Sequence, residues 1–152
     1  MRWTEKAKRL LWISVMTCLS GMSFGCKGDG KVNPYIAQRV WELTSDDPVT
    51  VQAAIDFLLN QKPRNVVPAL MENLDDMHPL AVRKVLIQDM RNSAAPIRRY
   101  QPEKVCDLIA ALLHHVTGVS HGTIYNGASD TQRIKTIAAW QTWWSANKQH
   151  YQ

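Results

Sequence analysis

Residues 46–76 read DDPVTVQAAIDFLLNQKPRNVVPALMENLDD. Ser45-Asp46-Asp47-Pro48 is a helix start: an acidic pair to cap the first free N–H groups, then a proline where no N–H is needed. Val51, Ala54, Ile55, Leu58 and Leu59 follow at i, i+3, i+4, i+7 and i+8, one face of a helix to about Asn60. Lys62-Pro63 breaks it. A second helix is expected from about Asn65 to Leu74, with Val67, Leu70 and Leu74 inward and Pro68 in its first turn. The stretch is therefore a helix-turn-helix with one apolar stripe on each helix, and such a unit must be covered by neighbours to bury both.

The same reading extends outward. Asn33-Pro34 caps a helix to Leu43 with Ile36 and Val40 inside. His78-Pro79 starts a predicted helix through Arg91 with the stripe Val82, Val85, Leu86 and Met90, followed by a loop over Asn92–Gln101 around Pro96. Pro102 starts a further helix carrying Val105, Leu108, Ile109, Leu112, Leu113 and Val116, ended by Gly118. After a glycine-containing loop, Val119–Ser129, either Ser129 or Asp130 caps a last helix to about Lys148, with Ile134, Ile137, Trp140, Trp143 and Trp144. No run of strand alternation is expected in the mature chain, and the fold class is all-α.

Pro48, Val51, Ala54 and Ile55 recur in type as Pro79, Val82, Val85 and Leu86, and Val67, Leu70 and Leu74 recur as Val105, Leu108 and Leu112. Asp47-Pro48, Pro63, the Val67-Pro68-Ala69-Leu70 run and Leu74-Asp75-Asp76 resemble HEAT repeats. The resemblance covers Asp46 to Asp76 well and Met77 to His115 weakly, where His78 stands for the expected Asp and Asn92–Gln101 is inserted. It implies a short α-solenoid of antiparallel helix pairs over residues 33–152, an armadillo-type superhelix whose flanking helices act as caps. The ending, Gly122 to Gly127 before Arg133 and Trp140 to Trp144, is similar to the close of small exported HEAT-like proteins.

The start of the chain has a different character. Met1 to Arg9 is basic, Leu10 to Leu19 is uncharged and mostly apolar, and Ser20, Gly21, Ser23 and Gly25 are small: the layout of a secretory signal over residues 1–25. The apolar run is short for a membrane span, which takes about 20 residues. Ser23-Phe24-Gly25-Cys26 resembles the lipobox of bacterial lipoproteins, with Ser23 and Phe24 departing from its preferred residues. That resemblance implies cleavage before Cys26, acylation of Cys26 and a polar tether to Val32. The protein would then sit in a bacterial envelope, held to a bilayer by its acyl chains. Lys27 is not the Asp that often marks inner-membrane retention.

Of 152 residues, 45% are hydrophobic and 20% charged, as in a folded globular chain. The net charge of +5 owes much to the export segment, which holds Arg2, Lys6, Lys8 and Arg9 against Glu5. Arg98-Arg99 with Arg91 and Lys104 is the closest approach to a basic face, too little for a nucleic-acid partner. His114 and His115 are adjacent on a helix and point apart, so no metal site is expected. Cys106 lies in an apolar stripe and reads as an inert buried thiol. There is no G-x-S-x-G elbow and no glycine-rich phosphate loop after a strand. The expectation is a non-catalytic, cofactor-free module that binds another envelope protein. Candidate contacts are His121, Tyr125 and Asn126 in the 119–129 loop, and Arg98, Arg99 and Tyr100 in the insertion. The rival expectation is a small enzyme or enzyme-accessory subunit using His121 and Tyr125 beneath that loop. A third is a protein that only fills a larger envelope assembly.

Overall fold

In a computed structural model the chain is described over residues 32–88 and 96–151. The expected export segment, Cys26 and the expected tether before Val32 lie outside the described residues. Among these residues the protein is mostly helical: α1 (Pro34–Glu42), α2 (Pro48–Leu59), α3 (Pro63–Glu72), α4 (Val105–Thr117) and α5 (Asp130–Asn147). A small antiparallel sheet joins β1 (Val85–Ile87) to β2 (Arg98–Tyr100), and a 3-10 turn, Lys148–Tyr151, follows α5.

The caps read from the sequence form as chemistry requires. Asn33 accepts from the Tyr35 N–H at 2.9 Å, and Asp47 from the N–H groups of Val49 and Thr50 at 3.2 and 3.0 Å. Thr50 also donates its hydroxyl to Asp47, and these bonds hold that carboxyl below its usual range. Ser129 and Gln132 make a reciprocal capping box at α5. Gly118 ends α4 in the left-handed region, φ 74°, with its N–H on the His114 carbonyl.

The core is centred on α4, whose residues Val105 to Leu113 are all buried. Such a helix sits inside the molecule with neighbours on every side. It packs against α2, α3 and α5, while α1 covers α2 and α3. Trp140 of α5 is fully buried and closes one end of this core. Buried Arg133, Thr136, Ile137 and Trp140 define the inward face of α5, whereas Ile134, expected in that stripe, is 62% exposed. Trp143 and Trp144 are half-buried around Tyr151.

Three expectations are corrected. The helix predicted from His78 does not form: through Gln88 the chain is extended, and Asp89, Met90 and Arg91 of that prediction fall outside the described residues. Its buried residues are Leu80, Val82, Val85 and Ile87, and Leu86 is 44% exposed. That is two-residue alternation with one break, which a short run of β-branched residues shares with a helical stripe. The deciding interaction is long-range. Asp76 and His78 carbonyls accept from Cys106 and Val105 at 2.9 and 3.0 Å, and the Leu80 N–H donates to the Glu103 carbonyl at 2.9 Å. The segment thereby satisfies first-turn N–H groups of α4 that would otherwise be buried without partners. Second, the expected insertion loop contains β2, whose Tyr100, Arg99 and Arg98 lie opposite Val85, Leu86 and Ile87. Third, Pro63 is the first residue of α3, so Pro68 lies inside the helix and not in its first turn.

Candidate binding site at the end of the central helix

Beyond Gly118 the chain reverses, and the 119–129 loop runs back beside residues 100–103. Asn126 Oδ1 accepts from the Gln101 N–H at 2.9 Å. Gly122, at φ 124°, sits against Thr136: a Cβ there would lie 2.5 Å from its hydroxyl oxygen. That approach and that backbone angle both require glycine. Ile124 and Tyr125 are pulled into the core.

The loop and β2 close over the C-terminal end of α4 with four interlocked rings. Tyr125 stacks on His114 at 5.6 Å and 18° and meets Tyr100 edge-on at 5.6 Å. The Tyr100 hydroxyl hydrogen-bonds His115 Nε2 at 2.9 Å. His114 Nδ1 donates to the Val119 carbonyl at 3.0 Å, so its Nε2 carries the lone pair when the ring is neutral. Burial raises the Tyr125 phenol above its ordinary range, a weak hydrogen bond from Ser120 opposes this, and Tyr100 adds to it. The phenol is therefore a neutral donor and acceptor.

A pocket of about 510 Å³ opens beside these rings, lined by Arg98, Arg99, Tyr100, His114, Ser120, Thr123, Tyr125 and Asn126. Five residues singled out in the sequence thus meet at one place: Arg98, Arg99, Tyr100, Tyr125 and Asn126. Among the described residues neither arginine has an ion pair, and both are exposed. Two guanidinium groups above aromatic and hydroxyl surface suit an anionic ligand. The sequence reading missed His114, weighed there only with His115 as a metal ligand, and Ser120 and Thr123. Their signal is indirect: a residue four before a C-terminal Gly and small hydroxyls beside a turn glycine.

His121 stands elsewhere. It lines a separate pocket of about 370 Å³ with Gly122, Thr123, Gln132, Lys135 and Thr136. Its ring meets Trp140 edge-on at 4.7 Å, and the Nε2 of His121 and the Nε1 of Trp140 are both buried without a hydrogen-bond partner. The His121–Tyr125 pairing of the rival expectation is therefore split between two pockets. Lys104, grouped in the sequence with Arg98 and Arg99, is ion-paired with Asp130 at 2.8 Å near the other end of α4. Among the described residues no three His, Cys, Asp or Glu side chains converge on a metal position, and no helix is long and apolar enough to cross a membrane.

A buried ion pair holds the site's two supports together. Asp107 of α4 is fully buried, and Arg133 of α5 grips both its oxygens, Nε on Oδ1 at 2.8 Å and Nη2 on Oδ2 at 2.9 Å. Arg133 also reaches Glu103 and Asp130, at 2.8 and 3.0 Å. Asp107 in turn caps α4 by accepting from the N–H groups of Glu103 and Lys104, each at 3.1 Å. The hydrogen bond to Asp107, foremost, holds the guanidinium firmly protonated. This cluster fixes the start of α5, where the loop ends, against the start of α4. Cys106 beside it is fully buried, and desolvation pushes its thiol up to about 11.

No protein-family model, curated protein or solved structure matches this chain.

Proposed function

We propose that this protein is a membrane-anchored envelope lipoprotein whose helical domain is a non-catalytic module that binds another protein. The observation that carries the binding half is the pocket at the end of α4: Arg98, Arg99, Tyr100, Tyr125 and Asn126 converge there on a rigid frame of helices. The anchoring half rests on the basic, apolar and small-residue order of residues 1–25 followed by Cys26. At about 0.8 kcal/mol per buried CH₂, two or more acyl chains on Cys26 retain a small domain at a bilayer. The HEAT-like reading is favoured by α2 and α3, which start at Asp47-Pro48 and Pro63 as the repeat pattern expects. It extends to one unit, because the second unit's first helix is replaced by extended chain.

In-cell crosslinking with a C-terminally tagged chain, together with metabolic labelling by an alkyne fatty acid, tests both halves. The expected result is label lost in Cys26→Ala, and an envelope protein captured at fixed ratio by the wild type but not by Arg98→Glu/Arg99→Glu. An unlabelled chain with no partner overturns the proposal.

One observation favours the rival, an enzyme or accessory subunit working under the 119–129 loop: the buried, unpartnered Nε2 of His121 beside its own pocket. An activity that His121→Ala abolishes while partner capture persists would establish it.

A further inference from the structure

The two outer edges of the small sheet are not alike. On the β1 side, Gln52 of α2 behaves as a surrogate strand: its Nε2 donates to the Leu86 carbonyl at 2.8 Å and its Oε1 accepts from the Leu86 N–H at 3.1 Å. Leu86 therefore points its backbone groups away from β2. Because Leu86 lies opposite Arg99, this is the non-hydrogen-bonded pair of the ladder, and the N–H and C=O of Arg99 point outward as well. Among the described residues neither group has a partner. Two residues on, the N–H on the same edge, that of Gln101, is taken by Asn126. Asn126 lines the 510 Å³ pocket, and so do Arg98, Arg99 and Tyr100. The open part of the β2 edge thus faces the pocket.

An open strand edge is a template for another extended chain unless something blocks it. The β1 edge is plugged by Gln52, and the β2 edge is plugged at Gln101 and left open at Arg99. The open position carries two exposed arginines without ion pairs.

We propose that an extended acidic peptide segment of the partner protein adds to the sheet along β2, pairing its backbone with the N–H and C=O of Arg99. Its carboxylates would meet the guanidinium groups of Arg98 and Arg99. The proposal deepens, and rests on, the reading of this pocket as a partner-binding site. Successive peptide side chains fall on alternate faces about 3.3 Å apart. A residue opposite Arg99 shares its face and its neighbour shares the face of Arg98, so two consecutive acidic residues are the preferred signature. Backbone pairing supplies the docking register and the arginines supply selectivity.

The test uses the full-length chain in detergent and a fluorescein-labelled hexapeptide containing consecutive glutamates between valines, read by fluorescence anisotropy. Two control peptides accompany it: one of the same sequence with N-methylated backbone amides, and one with lysine for glutamate. N-methylation leaves charge intact and removes the donors of the added strand, so it is expected to weaken binding about tenfold, as loss of one or two hydrogen bonds would. The lysine peptide is expected not to bind. Arg98→Gln/Arg99→Gln is expected to weaken the glutamate peptide by at least about tenfold, as loss of two charge-assisted contacts would. Arg99→Pro deletes the outward N–H without touching the ladder to β1 and is expected to weaken binding beyond Arg99→Gln. Hydrogen exchange at the Arg99 amide is expected to slow on peptide saturation.

Equal binding of the N-methylated peptide, or unchanged exchange at Arg99, overturns strand addition. Self-association of the peptide-free chain through this edge also overturns the proposal, since the occupant is then a second copy. If no peptide binds while the in-cell capture still depends on Arg98 and Arg99, the edge proposal falls and the partner-binding reading stands.

Discussion

Replacing Arg133 by methionine keeps the length and helix propensity of the side chain and removes its charge. It leaves the carboxylate of Asp107 fully buried, with the backbone N–H groups of Glu103 and Lys104 as its remaining strong donors. Breaking a buried pair by removing one partner costs about 3–5 kcal/mol, since the other charge stays out of water uncompensated. The arms of Arg133 toward Glu103 and Asp130 add little, for those carboxylates are 51% and 63% exposed, and exposed pairs contribute about 0–1 kcal/mol. A domain of this size has about 5–15 kcal/mol in total, so Arg133→Met removes a large part of it. The melting temperature is expected to fall by roughly 10–20 °C. Urea denaturation followed by tryptophan fluorescence measures the loss. The double variant Asp107→Asn/Arg133→Met separates causes: asparagine keeps an oxygen for the cap of α4 and removes the orphaned charge, so most of the stability should return. A loss below about 1 kcal/mol in the single variant would refute the argument, because it lies far under the cost of an uncompensated buried charge. A double variant no more stable than the single one would refute it too.

Further outcomes follow from neighbouring geometry. Gly122→Ala forces a left-handed backbone angle on an L residue and drives its methyl into Thr136; a loss of about 1–3 kcal/mol is expected in the same denaturation assay. The Cys106 thiol stays protonated in the folded protein up to about 11, above its ordinary range. The unfolded chain therefore releases that proton first, so stability falls as pH rises through the ordinary thiol range towards 11, and Cys106→Ala should flatten that slope. Gln52→Leu unplugs the β1 edge and leaves the Leu86 N–H and C=O without their partner; about 0.5–1.5 kcal/mol should be lost, with faster hydrogen exchange at Leu86.

Local chemistry made much of this chain readable in order. Caps at Asn33, Asp47 and Ser129, the stop at Gly118, and the stripes of α2 and α4 depend on groups a few residues apart, so spacing alone reveals them. The 119–129 loop is legible in the same way, as a glycine-bearing stretch between two strong helices. Where the reading failed, the deciding partner was remote. Leu80 to Ile87 carries enough β-branched residues for either period, and what makes it extended is the bare first turn of α4 and the amide of Gln52. Ile134 and Arg133 exchanged roles for a similar reason: Asp107, a single acid near the start of another helix, draws the arginine inward and rotates α5 so that the isoleucine faces water.

By itself, then, the sequence determined a mostly helical chain, the positions of most helix ends and the burial of Cys106. Only the tertiary structure decided that residues 79–88 are extended, that β2 lies within the presumed insertion, and that Arg98, Arg99, Tyr100, Tyr125 and Asn126 share one pocket while His121 does not. The physical reason is the range of the interactions. A helix satisfies its own backbone, so its signals are local, whereas an extended segment and a pocket are completed by groups from elsewhere in the chain.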